Sequence, residues 1–549
     1  MTDSDRTKFA AWSASWTPVL VLILAVTAAR IIYLAWLCPY TLVEDEASYW
    51  EWSRHLEWSY YTKGPGIAWT IALCTRLLGN TDLAVRLPAV LSSAVAALCA
   101  AGLGREVSGD KRVGFFAAAC FLLVPAFLLT AMISTIDGPY VACWAAAAWA
   151  GWRIFGATGQ PRSSRWGAWT VLGAAVGLGT LYKYTMVLAI PGLVLFALRD
   201  RGARRARGAN IGSPAAAALG MVLCLVLLSP IAIWNLQHHW PTMRHLLGHL
   251  GVAGGDKPVI QGAGGWKYKP QWTQSFLGAQ LATGPLLVLA WLQGAWARRE
   301  RREQPEPWRG AAYLIWFAAP LLVFYLVVSF VANTQWNWTV AAYVTLAVLG
   351  GWAVVGGMDR WRRLGRTPLA VHAWRATLIV GLAVGLGVLR LDLFTHLPVI
   401  GEKIPVWRFT GGHRMARNVE QLMDEIRAKT GQEPFIMAQH YGRAAQLAFY
   451  MRGNPTVYCT SSLMLDGRLT PYDFWPQTDL RKAEGLIGRP AIMVGNELED
   501  WQPLFDKVEL VGTLDGDGKK NRPAFKGYDF HGFPPGGLRS PGAPEFAAP

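Results

Sequence analysis

Val43-Glu44-Asp45-Glu46-Ala47-Ser48-Tyr49-Trp50 follows a long apolar run, and Tyr61-Thr62-Lys63-Gly64-Pro65-Gly66 comes shortly after it. Carboxylates beside lipid are costly unless paired, hydrated or used. An acidic cluster and a lysine with aromatic neighbours and a Gly-Pro turn therefore read as a site at a membrane surface, provided that a membrane is present.

Composition supplies the membrane. Of 549 residues, 52% are hydrophobic and only 16% charged, where soluble domains carry about 25% charge. The net charge of +16 does not indicate nucleic acid, because the basic residues sit in short clusters between apolar runs, as in the loops of a polytopic protein. The seven cysteines form no CxxC pair, which argues against a disulfide framework or zinc knuckle. The first apolar run lacks a small-residue cleavage site after it and reads as a retained anchor.

Crossing the hydrocarbon core takes about 20 mostly apolar residues. Candidate spans are 17–38, 82–104, 113–132, 138–156, 167–182, 184–199, 213–234, 276–297, 310–331, 338–357 and 372–391. Segment 66–78 is brief and bounded by Pro65 and Gly79-Asn80, and reads as an interfacial helix; two further spans are left open. Arg105, Lys111, Arg112, Arg162, Arg165, Arg201, Arg204, Arg205, Arg207, Arg298, Arg299, Arg301, Arg302, Arg360, Arg362, Arg363 and Arg366 mark alternate loops as cytoplasmic. The N-terminus is then cytoplasmic. Loop 39–81, Asp137, Lys183, the stretch 235–275 and everything after about residue 392 face the other side.

From about residue 400 the chain turns more polar. An apolar run after Glu433-Pro434, an amphipathic stretch from Tyr441 to Met451, Thr456-Val457-Tyr458-Cys459 and strand-like runs at 490–494 and 508–513 indicate a small α/β domain. The fold expected is an all-α polytopic membrane domain (1–392) with a C-terminal periplasmic α/β domain (393–531). A Pro/Gly/Ala-rich disordered tail (532–549) follows. There is no internal repeat.

Asp45, Glu46, Lys63, Asp137, Lys183 and His249, with Asn235, His238 and His239, are the unusual polar residues of the outward segments. Alone, each reads equally well as a solvated helix end or a snorkelling side chain, and Asp137 as a cap for the helix opening at Pro139. Acids and lysines from four separate segments at one membrane face are harder to dismiss. A carboxylate there can take a proton from an acceptor hydroxyl, and lysines can neutralise a departing phosphate.

The order of these segments resembles the bacterial branch of the membrane glycosyltransferases with the GT-C fold, which joins protein O-mannosyltransferase-like enzymes to the lipid A aminoarabinose transferases. The matching motifs are Asp45-Glu46, Tyr60-Tyr61, Lys63-Gly64-Pro65, Ser134 to Pro139, Gly177-Leu178-Gly179 with Lys183, Pro230 to Asn235 with His238, and Asn337-Trp338. Together they cover about residues 30–350. The resemblance implies a GT-C domain of about 11–13 transmembrane helices in the bacterial inner membrane. Asp45 would be the base and Asp137 a second acid. Lys63 and Lys183 would hold the donor phosphate, with Glu46, Tyr61, Asn235 and His249 in support. The resemblance singles out no cofactor and leaves a divalent metal at His249 open. At Thr62 the chain departs from many relatives, which carry an acid there.

The activity implied is inverting transfer of a hexosyl or pentosyl unit from a polyprenyl-phosphate donor to a lipid A or other glycolipid, polysaccharide or protein acceptor. Membrane lipids are expected partners, and nucleic acid is not. The alternative is a transporter or flippase of lipid-linked glycans, which would place its polar residues near the bilayer midplane and show repeated halves.

Overall fold

Apolar residues from Thr17 to Ile32 form helix α1, which runs on through a π-helical turn, Tyr33–Leu37. The chain then leaves the helix, and α2, Glu44–Arg54, opens with three carboxylates in its first turn, where free N–H groups and the helix dipole favour negative charge. Helix α3, Gly66–Leu78, starts after Pro65, and α4, Asp82–Ser108, starts where the Thr81 side chain accepts a hydrogen bond from the Ala84 N–H. The computed structural model describes residues 15–156, 164–202, 211–249, 268–281, 285–396, 409–464, 469–514, 523–534 and 537–538. Arg162, Arg204, Arg205, Arg207 and most of the expected tail lie outside the described residues.

Prolines set many of the later boundaries. The expected span 113–132 is broken into α5, Lys111–Leu123, and α6, Pro125–Met132, bent by 68°. Pro125 disfavours helical backbone in the residue before it, and Val124 is extended. After α7, Asp137–Gly151, and α8, Ser164–Tyr182, the extended residue Lys183 and a 3₁₀ turn lead into α9, Ala189–Arg199. Five successive helices begin on proline, the residue best tolerated in a first turn: α10, Pro214–Gln237; α11, Pro241–His249; α12, Pro270–Leu281; α13, Pro285–Arg299; and α14, Pro305–Val328. A 3₁₀ segment, Trp336–Ala342, then feeds α15, Tyr343–Leu364, and α16, Leu369–Leu389, follows.

Each of the eleven expected spans coincides with a helix or a broken pair. Among the described residues, six helices are long and apolar enough to cross a membrane, and the bent pairs α5–α6 and α12–α13 bring the number to eight. The expected spans 138–156, 167–182 and 184–199 correspond to α7, α8 and α9, which fall short in length or hydropathy. Inside the bundle, alanines such as Ala101 of α4, Ala117 of α5, Ala145 of α7 and Ala347 of α15 are fully buried. Small side chains let helix backbones approach where lipid offers no hydrophobic drive.

Beyond the bundle, α17, Gly412–Thr430, buries Met415, Val419, Leu422 and Ile426 at helical spacing. The sheet holds β1, Phe435–Ala438, β2, Val457–Cys459, β3, Ala491–Val494, β4, Phe505–Thr513, and β5, Pro523–Phe530. Its order is β2-β1-β3-β5-β4, parallel across β2, β1 and β3 and antiparallel through β5 and β4. Strand β5 has no counterpart in the sequence reading, because Lys526, Tyr528 and Asp529 interrupt its apolar pattern. Helix α18, Tyr441–Tyr450, crosses from β1 to β2 and packs on α2. Leu42, Ala47, Trp50 and Ile71 share one hydrophobic cluster with Met415, Val419, Ala444 and Ile492, so the first loop and the C-terminal domain are built on a common core.

Candidate active site

The charges of the first loop separate according to helix geometry. Successive residues on a helix point about 100° apart, so Asp45 and Glu46 cannot face the same way. Glu46 is fully buried and takes two hydrogen bonds from the Arg86 guanidinium, both at 2.9 Å. It also accepts the N–H of Ser134 at 2.8 Å and that of Val43 at 3.0 Å. Arg86 in turn donates to the Tyr40 and Thr41 carbonyls. Glu46, expected to help inside the site, is thus locked behind it, tying α2 to α4 and to the segment before α7.

Asp45 points the other way, into a cavity of about 290 Å³. Lys63, Asp137 and Lys183 line the same cavity, as do Thr62, His245, Asn337, Trp338, Tyr441 and Thr470. The four chemical residues singled out from the sequence therefore meet, although they come from α2, the loop before α3, the head of α7 and the break after α8. Gly64 makes one of these approaches possible. A Cβ there would lie 2.3 Å from the Leu181 carbonyl oxygen, so the loop carrying Lys63 rests directly on the end of the helix that delivers Lys183.

Within the cavity, Lys183 Nζ donates to Asp137 Oδ1 at 2.8 Å, and Asn337 Nδ2 donates to Oδ2 at 2.6 Å. Asp137 is the first residue of α7 and is buried by these partners; it does not serve as a simple cap. Asp45 is exposed to the cavity, and the protein packed around it raises its pKa above the ordinary carboxylate value. Lys63 pulls that pKa back, Glu44 pushes it up, and His440 and a hydrogen bond from Tyr441 lower it.

The other described sequence candidates do not line this cavity. Tyr61 is buried, stacked on Phe474 at 5.5 Å and tilted against His245 at 5.1 Å. Asn235 is buried in α10, where its Nδ2 donates to the Ile231 carbonyl; His238 stacks on Trp234. The side chain of His249 lies outside the described residues. His245, one helical turn earlier, is the histidine of the cavity lining. Among the described residues, no three metal-ligating side chains gather there; the one such group is Asp506, Asp529 and His531, exposed on and beside β4 and β5.

Three contributors escaped the sequence reading as site residues. Asn337 had a signal, the Asn-Trp motif, but no assigned role. His245 stood among several nearby histidines with nothing to single it out. Tyr441 reaches the cavity only because the C-terminal domain docks on α2, which no local pattern reports.

Residues 62–234 match the dolichyl-phosphate-mannose-protein mannosyltransferase family. The lipid A galacturonosyltransferase RgtD of Rhizobium johnstonii is 30% identical over 353 residues, covering 63% of this chain and 68% of that protein. The undecaprenyl phosphate-alpha-4-amino-4-deoxy-L-arabinose arabinosyl transferase 1 of Sodalis glossinidius is 30% identical over 300 residues, covering 51% of this chain and 50% of that protein. Among solved structures, ArnT from Cupriavidus metallidurans bound to undecaprenyl phosphate superposes with a TM-score of 0.62 at 17% identity, over 93% of this chain and 98% of that chain. The chain belongs to the membrane glycosyltransferases of the GT-C fold. The transporter alternative has no support: these relatives are transferases, and the charged residues converge at one end of the bundle.

Proposed function

We propose that the protein moves one sugar from an undecaprenyl-phosphate donor to a lipid A-type glycolipid on the periplasmic face of a bacterial inner membrane. The observation that carries this reading is the single cavity shared by Asp45, Lys63, Asp137 and Lys183. Asp45 takes the acceptor proton as the acceptor oxygen attacks the anomeric carbon. Its raised pKa brings the base closer to working pH. Lys63 and Lys183 face the charge that grows on the leaving lipid phosphate. Asp137, with Asn337, holds Lys183 in place until the phosphate arrives. One displacement inverts the anomeric centre.

Orientation follows from charge. Ser15, just before α1, accepts a hydrogen bond from Arg105, in the arginine-marked set of loops. The positive-inside rule makes that end cytoplasmic, which leaves the cavity and the C-terminal domain periplasmic. A hexosyl unit is favoured over a pentosyl one, because, of the two relatives at 30% identity, the one matched over more of this chain is a galacturonosyltransferase. Purified Asp45→Asn, assayed with undecaprenyl-phosphate-linked galacturonic acid and with the aminoarabinose donor, tests the reading. Near-normal turnover with the donor that the wild type uses overturns Asp45 as base. Turnover of the aminoarabinose donor alone by the wild type overturns the hexosyl preference.

A further inference from the structure

We propose that Tyr441, carried in by the C-terminal domain, is a positioning residue for Asp45, so that this domain completes the catalytic cavity. The inference rests on the reading of Asp45 as base and adds a residue about which the motifs of the membrane segment say nothing.

The geometry starts with docking. The head of α18 lies on the first turn of α2, and a Cβ at Gly442 would sit 2.4 Å from Glu44 Cβ and 3.1 Å from Glu44 Cα. Only glycine permits that approach. Further along α18, Arg443 Nε pairs with Glu44 at 3.4 Å, Gln446 Nε2 donates to the Leu42 carbonyl at 2.7 Å, and the Tyr450 hydroxyl donates to Asp82. The contact therefore runs the length of α18, and Tyr441 sits at the end nearest the cavity.

There Tyr441 lines the cavity together with Asp45, and its hydroxyl is among the groups that lower the Asp45 pKa. The charged and titratable groups that face Asp45 are Glu44 and Tyr49 on its own helix, Lys63 from the loop before α3, Tyr441 from α18 with His440 just before it, and, lining the same cavity, Asp137, Lys183 and His245. Lys63 is assigned to the donor phosphate, and His440 also lies 3.9 Å from Glu44. Tyr441, like Tyr49, is a neutral donor, and it is the one contributed by the C-terminal domain. It fixes the carboxylate orientation without adding a charge that would compete with the phosphate for Lys63.

A hydrogen bond donated to the carboxylate favours its ionised form. Removing the hydroxyl raises the Asp45 pKa, so the acid limb of the rate profile moves to higher pH. For purified full-length Tyr441→Phe, assayed with the undecaprenyl-phosphate sugar that the wild type turns over, kcat is expected to fall about tenfold at neutral pH. The acid limb of kcat/KM should rise by about one pH unit, while donor KM stays within about twofold of wild type. Gly442→Ala, which pushes α18 off α2, should reproduce the displaced limb. A uniform fall at every pH with an unmoved limb, or no fall at all, overturns the proposal. So does a wild-type pH profile in Gly442→Ala. Thermal melts in detergent identify any variant that fails to fold, and the second substitution then decides. An active Asp45→Asn would remove the reading of the base itself. An inactive Asp45→Asn with an unshifted Tyr441→Phe removes this inference alone.

Discussion

The two ends of the helical bundle use charge in opposite ways. At the arginine-marked end, charges pair among themselves: Arg112 with Asp110 and Asp359, Arg153 with Glu106, and buried Arg309 with Asp200. At the end carrying α2, Glu46 with Arg86 is closed in the same manner, away from the cavity. Beside it Asp45, Lys63 and the paired Asp137 and Lys183 line a cavity large enough for a ligand. A pair shut away from the cavity serves the fold, whereas charges that line the cavity can be reached by a substrate. The contrast even divides neighbours, since Asp45 and Glu46 are adjacent in sequence and have opposite fates.

Substitutions test whether this division is real. Asp45→Asn should cost about 10²- to 10⁴-fold in kcat, the usual contribution of a general base, with an unchanged melting temperature. A large loss of stability would show that Asp45 is a fold charge like its neighbour. Glu46→Gln should do the reverse. Breaking a buried ion pair costs about 3–5 kcal/mol, so the melting transition should drop sharply, and the folded fraction should keep much of its turnover. Lys63→Ala should reduce kcat about 10²-fold or more, as expected for losing one group that stabilises transition-state charge. Donor titration by tryptophan fluorescence reads the accompanying loss of affinity.

Smaller effects sharpen the comparison. Because surrounding protein raises the Asp45 pKa, the base is protonated at pH values where a free aspartate would still be charged. Activity should therefore fall on acidification above the ordinary aspartate range, and a kcat/KM profile between about pH 4 and 8 locates the limb. The smallest change is expected at the other end, where Arg112 and its acidic partners are partly exposed. Arg112→Gln should shift stability by about 1 kcal/mol or less and leave kcat alone. A fall in kcat there would break the assignment of that end to structure.

Much of this was legible along the chain. Apolar runs of about 20 residues announce helices because lipid offers the backbone no other hydrogen-bond partner, and every expected span has its helix or broken pair. Pro125, a visible helix boundary, could have foretold the break between α5 and α6. Asp45, Lys63, Asp137 and Lys183 were conspicuous because charges are rare among such segments. Strand β5 was hidden by its polar residues, and Glu46 looked like a site residue because sequence lists neighbours without the angle between them.

The sequence by itself determined that this is a polytopic membrane protein, which residues carry unusual charge, and that a polar α/β segment follows the last span. All of these are local properties, set by hydropathy and by the cost of charge near lipid. Only the tertiary structure decided which acid faces the cavity, that Asn337 joins Lys183 on Asp137, and that Tyr441 reaches Asp45 from the far end of the chain. Those contacts depend on how closely helices approach, and the approach is set by single atoms, such as the missing Cβ at Gly64 and Gly442.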